Sequence, residues 1–290
     1  MNPHQHPDWL IPQWPAPEHV RAVFTTRAGG CSPAPWDSLN LGDHVGDAPA
    51  RVADNRQTLA RATGCQPVFV QQVHGQQVVV LEPASADLSG QVADAAVTRQ
   101  RGLGCTIMVA DCLPVLLAHL DAPVVAAAHA GWRGLAGQPG LGQNPQSGAQ
   151  PPASAGVLAA VFSRFSELAG QSQRQAAGRT IAWLGPCIGP AAFEVGAEVK
   201  AVFEAWHPGA GACFVALPGQ PPAGSTPKYL ADLAGLARLQ LHALGITAVY
   251  GNDSSTGWCT VSQASRFFSH RRDAGGGRST GRMAACIWQV

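Results

Sequence analysis

Charge is scarce in this 290-residue sequence: Asp, Glu, Lys and Arg make up only 13% of it, and 19 basic residues almost cancel 18 acidic ones. No basic stretch of the kind that follows a phosphate backbone or an anionic membrane surface is present, so nucleic acid and membrane are excluded as expected partners. Long apolar runs are lacking too, because Arg, Asp, Gly or Pro interrupts each one before it reaches bilayer length. The amino terminus, with His4, His6, Asp8 and prolines at 3, 7 and 12, has neither the basic start nor the apolar stretch of a secretory signal. A cytoplasmic protein is expected. Eight cysteines are present without a single Cys-x-x-Cys, which argues against a zinc ribbon, and a chain of this length has no need of a disulfide framework.

What is abundant is apolar surface: 46% of residues are hydrophobic, ample for one core. Short apolar runs predict strands at Val23–Thr26, Val68–Val73, Val78–Leu81, Ala95–Thr98, Thr106–Ala110, Val115–Leu120, Val124–Ala128, Ile181–Leu184 and Ala284–Trp288. Many are continuous rather than alternating, as in strands covered on both faces. Helices are predicted at Ala50–Thr63, Val157–Ala169, Ala197–Trp206 and Leu230–Leu244, with Gly64, Gly170 and Gly245 where C-terminal caps are wanted. Strands outnumber helices without alternating strictly with them. The expected fold class is therefore α+β (mixed α/β), a single-domain sandwich of mixed β-sheet flanked by helices spanning 1–290. Gln138–Gly156 and Pro208–Pro227, rich in Gly, Pro, Gln, Ala and Ser, are expected to be flexible surface insertions, and Gly275-Gly276-Gly277 a flexible linker.

Three residues stand where apolar runs stop. His74 closes the run from Val68 and precedes Gly75; Cys112 follows Thr106–Asp111 and precedes Leu113-Pro114; His129 follows Val124–Ala128 and opens Ala130-Gly131-Trp132-Arg133-Gly134. Strand-end side chains from neighbouring strands can point into one crevice. Two imidazoles and a thiolate suit zinc, and three protein ligands leave an open position, the mark of a catalytic rather than a structural site. Two other readings stay open: independent packing or capping residues, and a metal-free nucleophile Cys112 with His129 as its base and Asp111 orienting the ring.

The segments carrying these residues resemble, in order, the laccase-domain family, also called YfiH-type or multicopper polyphenol oxidase-like. They are Phe24-Thr25-Thr26-Arg27-Ala28-Gly29-Gly30, Asn40-Leu41-Gly42 with Val45-Gly46-Asp47, Gln71-Gln72-Val73-His74-Gly75, Ala93-Asp94-Ala95, Ala110-Asp111-Cys112, His129-Ala130-Gly131-Trp132-Arg133-Gly134, Leu184-Gly185-Pro186-Cys187-Ile188 and Phe267-Phe268-Ser269-His270-Arg271-Arg272-Asp273. The resemblance implies a CNF/YfiH-like fold, one zinc held by His74, Cys112 and His129, and phosphorolysis of adenosine, inosine and S-methyl-5'-thioadenosine to free base and (methylthio)ribose 1-phosphate. Adenosine deamination is its second implied activity. The Gln138–Gly156 stretch departs from the family pattern, in which the Gly-Trp-Arg-Gly turn leads promptly into a helix.

A true multicopper oxidase needs repeated His-x-His and His-Cys-His arrangements, and among ten histidines only His4 and His6 form such a pair. Copper in the zinc site is the remaining route to phenol oxidation, since copper outcompetes zinc for most nitrogen and sulfur donors. The His-x-Glu and Pro-Cys-x-x-Cys signature of zinc nucleobase deaminases is absent, so deamination would need another acid-base group, for which Asp111 is the candidate, with turn formation at a strand end as its equal alternative. Arg27, Arg133 and Arg271 are candidates for gripping phosphate, Arg133 as part of the catalytic set, with a structural ion pair as the equal alternative for each. Asn40 is a candidate for the ribose hydroxyls or for stabilising a turn, and Trp132 for stacking on a purine, with a place in the core as its commoner alternative. Besides a nucleoside enzyme, a Cys–His hydrolase, for example one that edits cell-wall precursors, is the competing function.

Overall fold

The computed structural model describes residues 8–83, 89–138, 156–219, 226–275 and 279–290. Its centre is a pair of mixed sheets. One has four strands in the order β1 (Val20–Phe24), β13 (Met283–Gln289), β5 (Leu103–Val109) and β2 (Gln66–Phe69); β2 runs parallel to β5 and the other pairs are antiparallel. The other has six, in the order β12 (Ala248–Gly251), β8 (Thr180–Leu184), β6 (Leu113–His119), β7 (Val125–Ala130), β4 (Ala95–Thr98) and β3 (Val78–Val80). Its β12–β8 and β4–β3 pairs are parallel and its interior pairs antiparallel.

Alternation along the strands assigns the layers. Met283, Ala285 and Ile287 of β13 pack with Ile107, Leu116, Ala118, Val125, Ala127 and Trp183 between the two sheets. The intervening Ala284, Cys286 and Trp288 face outward onto Leu59 and Ala62 of α1 (Pro49–Thr63). On the far side, where the short α2 (Trp132–Leu135) and α4 (Gln173–Ala177) precede and follow it in the chain, α3 (Val157–Ala169) meets Val115, Leu117, Ala126 and Ala128 together with α6 (Leu233–Ala243), through Val161, Phe165, Leu236 and Leu241. The result is the expected α+β sandwich of mixed sheets flanked by helices, and β5, β6, β7 and β13 are buried throughout because both their faces are covered. Gly64 and Gly170 adopt φ of 70° and 69° and cap α1 and α3 in the left-handed conformation expected of them.

Several expectations change. Residues 228–231, expected to begin a helix at Leu230, form the strand β11 (Lys228–Ala231). It lies between β9 (Glu194–Gly196) and β10 (Phe214–Ala216) in a separate antiparallel sheet, and the helix starts only after Asp232, whose side chain accepts from Gly235 N–H. The proposed insertion at 208–227 is ordered over its first part, a 3-10 turn at Pro208–Cys213 leading into β10, because Ala210 and Phe214 are buried against α5 (Ala197–Trp206) and its neighbours. Residues 220–225 of that stretch, nearly all of 138–156 (139–155) and 276 and 277 of the glycine run lie outside the described residues. Among the described residues no helix is long and apolar enough to cross a membrane.

Candidate metal centre and its cavity

The site lies where the chain crosses from one sheet to the other. β5 belongs to the four-stranded sheet and β6 to the six-stranded one, so the turn Ala110-Asp111-Cys112 between them bridges the two layers. Asp111 takes φ 96° to make that turn. His129 is the penultimate residue of β7, opposite Pro114 of β6; the strand runs on to Ala130 instead of stopping before the histidine. His74 comes from the connection between β2 and β3. The strand predicted to run up to it ends at Phe69, because the backbone N–H groups of Val73, His74 and Gly75 turn onto the carboxylate of Asp94, at 3.2, 2.8 and 2.6 Å, instead of onto a strand. His74 itself has φ 62°.

One ligating atom from each of His74, Cys112 and His129 lies within 4.8 Å of the others, and the two imidazoles meet edge to face with ring centroids 4.8 Å apart. Burial alone would push the Cys112 thiol up, but the charge of His129 and hydrogen bonds from both rings outweigh it and bring it down to about 6. Burial also opposes charge on His129, yet Cys112 and Asp94 hold its pKa up at about 9. The sulfur is thereby poised as the thiolate that a metal ion takes. His74 Nδ1 is buried without a hydrogen-bond partner among the described residues. The residues therefore fit a zinc ion: an imidazole from each of two histidines and a sulfur, mutually close.

Above this trio opens a cavity of about 400 Å³, walled on its apolar side by Met108, Ile188, Phe193 and Leu233. Of the residues singled out by sequence, Asp111, Trp132, Arg133 and Arg271 line it beside His74, Cys112 and His129. The Arg133 guanidinium stacks 4.5 Å over the Trp132 ring and makes no hydrogen bond among the described residues. Arg271 is partly committed, donating to the carbonyls of Ala192 and Glu194 at 3.2 and 3.1 Å. Asp111 accepts from Thr260 Oγ1 at 2.5 Å and from Arg271 N–H at 2.6 Å.

Arg27 and Asn40 do not line this cavity. Arg27 donates to the carbonyls of Asp37 and Ala264, pairs with the Asp37 carboxylate at 3.3 Å and lies over Phe268. Asn40, fully buried, donates to Gly42 O and Asp47 Oδ2 and accepts from the N–H groups of Gly42 and Arg282. Both amide atoms of Asn40 are consumed in holding a loop together, and Arg27 does the same for its neighbours.

Other residues went unassigned by sequence. His44, Gln72, His270 and Arg282 line the cavity, and Asp94 lies behind the ligands, 2.8 Å from His129 Nδ1. Gln72 is clamped by Met108, whose N–H it accepts and whose carbonyl it binds, at 2.7 and 2.8 Å. Burial and the neighbouring Arg282 both lower the pKa of His44. Gln72 and Asp94 lie in segments that carried the resemblance, but their partners, 36 and 35 residues away, leave no local signal.

Residues 21–290 match the family model described as multi-copper polyphenol oxidoreductase laccase. A protein of Pseudomonas aeruginosa named purine nucleoside phosphorylase is 43% identical over 280 residues, covering 97% of this chain and 98% of its own. The purine nucleoside phosphorylase YfiH of Escherichia coli is 40% identical over 283 residues, with 97% and 98% covered. Among solved structures, a Neisseria meningitidis protein superposes with a TM-score of 0.78 at 38% identity, covering 97% of this chain and 99% of that one. The YfiH protein of Bacillus licheniformis gives 0.75 at 26% identity, with 93% of each covered.

Proposed function

The chain belongs to the multi-copper polyphenol oxidoreductase laccase family, and from that membership we propose that it is a zinc-dependent purine nucleoside phosphorylase. Its proposed substrates are adenosine, inosine and S-methyl-5'-thioadenosine, with adenosine deamination as a second reaction. The observation that carries the reading is the Arg133 guanidinium, without a hydrogen-bond partner among the described residues, standing in the same cavity as the cluster of His74, Cys112 and His129. An anion-gripping fork beside a metal centre is what a reaction between phosphate and a neutral nucleoside requires. The volume of about 400 Å³ falls in the range of small-ligand sites, and the wall of Met108, Ile188, Phe193 and Leu233 offers apolar surface to a purine. The relatives named purine nucleoside phosphorylase, matching over nearly the whole chain, support the same reading.

In phosphorolysis a phosphate oxygen bonds to the anomeric carbon while the bond from that carbon to the purine nitrogen breaks, and the base leaves with the electron pair and gains a proton. Arg133 is assigned to holding phosphate behind the anomeric carbon, with Arg271 closing the rim. The apolar wall excludes water, which would otherwise compete with phosphate. Proton transfer is assigned to Asp111, which lines the cavity and has the Thr260 hydroxyl on its carboxylate. His74, Cys112 and His129 would hold zinc, which supplies a Lewis acid with an open position when bound. All eight cysteines are free thiols, which suits a reducing compartment, and we assign the enzyme to the cytoplasm.

The test is elemental analysis of the purified protein followed by assay with inosine, adenosine and S-methyl-5'-thioadenosine. Zinc near one equivalent and strictly phosphate-dependent formation of (methylthio)ribose 1-phosphate are expected. Base release without phosphate, surviving strong chelation, would replace the proposal with a metal-free Cys112–His129 hydrolase. Oxidation of phenols by the copper-loaded protein without nucleoside turnover would favour the oxidase reading.

A further inference from the structure

We infer that Asp94 is the positioning residue of the metal centre, a single acceptor-only carboxylate that sets two of the three ligands at once. The inference rests on the reading of His74, Cys112 and His129 as a metal site. Asp94 is fully buried at the mouth of β4, and among the described residues its side chain meets three backbone N–H donors and the ring of His129. Oδ1 accepts from His74 N–H and faces His129 Nδ1, both at 2.8 Å; Oδ2 accepts from Gly75 N–H at 2.6 Å and Val73 N–H at 3.2 Å. Three consecutive backbone N–H groups converging on one anion form a nest. That nest stabilises the left-handed φ of 62° at His74, a conformation a residue with a Cβ seldom adopts, so the carboxylate sets where the His74 ring stands. The main chain of Asp94 reaches the other ligand as well, its carbonyl accepting from His129 N–H at 2.7 Å.

The contact with His129 decides a tautomer. A carboxylate can only accept, so the proton of the neutral ring sits on Nδ1 and the lone pair on Nε2 is left for the metal. Asparagine, nearly identical in shape, cannot substitute in either orientation. With its NH₂ in place of Oδ1, it confronts the His74 N–H and makes Nδ1 of His129 an acceptor, which moves the ring proton to Nε2. With its NH₂ in place of Oδ2, it confronts the N–H groups of Val73 and Gly75, releases the nest and leaves buried donors unmet.

The zinc affinity of Asp94→Asn, measured by competition with a chromophoric chelator, is expected to fall by about 10- to 100-fold. A merely structural aspartate would lower the melting temperature of the metal-free protein and leave the zinc affinity of the folded variant unchanged, and that result overturns the inference. Should the variant fail to fold, nitrogen-15 NMR of the zinc-loaded wild-type protein decides: a proton on Nδ1 of His129 is expected, and one on Nε2, or metal on Nδ1, overturns it. Wild-type protein that takes up no zinc overturns the metal reading together with the inference. Zinc uptake by the wild type, matched by Asp94→Asn, overturns the inference alone.

Discussion

A Cβ on Gly131 would stand 3.0 Å from the sulfur of Cys112 and 2.9 Å from Cδ2 of His74. The backbone at Gly131, with φ −66° and ψ 156°, is one that any residue adopts, so its need for glycine is purely a matter of space beside the ligands. Gly131→Ala is therefore expected to leave the fold intact and to weaken zinc binding by more than about tenfold, because the methyl group displaces ligands whose positions the metal requires. Chelator competition checks the affinity and circular dichroism the fold. Unaltered zinc binding would mean that the ligands relax freely around an extra methyl group.

Cys112→Ser should abolish stoichiometric zinc and phosphorolysis together. The thiol, brought down to about 6 by its two imidazole neighbours, is the anionic member of the trio, and a hydroxyl in its place stays protonated and neutral. Elemental analysis of the purified variant with a ribose 1-phosphate assay checks this. Retention of one equivalent of zinc with full turnover would remove Cys112 from the ligand set.

Asp111→Asn is expected to retain zinc and to lose about 10²- to 10⁴-fold in kcat, the scale of a lost acid-base group. Thr260→Val, which removes only the hydroxyl on Asp111, should cost less than about tenfold, in keeping with one hydrogen bond of ordinary strength. Equal losses in the two variants would show that the carboxylate acts by holding the Arg271 backbone N–H in place, with no proton to move.

Where local pattern decides the structure, the sequence is readable. β4, α3 and α5 form at the expected residues because continuous apolar runs or 3.6-residue periodicity with glycine boundaries leave no alternative. The three-stranded sheet of β9, β10 and β11 was not readable, because each strand is three or four residues long and partly exposed. The three residues of the cluster could be picked out, and they do lie together, but their surroundings could not: the Asp94 and Gln72 contacts join residues far apart in sequence. Arg27 and Arg133 are equivalent as sequence, each beside glycines or aromatics. They differ in that carbonyls surround the first and a cavity the second, which only the folded chain reveals.

That difference separates the two arginines experimentally. Arg133→Met should raise KM for phosphate by about 10- to 100-fold, the scale of a lost charge-assisted contact, with little change in melting temperature. Arg27→Met, which leaves two carbonyls and Asp37 without their donor, should reduce stability by about 1–3 kcal/mol and leave KM for phosphate within about twofold. Thermal melting and phosphate saturation curves on both variants check the pair, and the opposite pattern would return Arg27 to the substrate site.

Acid should loosen the segment that carries Arg271. Asp273 closes the short helix α7 (His270–Asp273), and burial pushes its carboxyl up. The paired bonds from Arg272 at 2.6 and 2.8 Å, the Ser269 N–H and the Thr280 hydroxyl outweigh burial and hold the pKa below the usual carboxylate range. A group whose pKa is depressed by folding contributes stability above its unfolded value, about 3.9, and loses it as pH falls through the lower folded value. Arg272 also donates to the carbonyls of Thr260, Val261 and Phe267, so protonating Asp273 removes the counter-charge from the residue that ties α7 to the loop behind Asp111. The melting temperature of the wild-type protein is therefore expected to drop below about pH 4. Asp273→Asn should melt lower at neutral pH and converge on the wild type in acid. Parallel pH curves for the two proteins would show that the Arg272 pair carries none of the acid sensitivity.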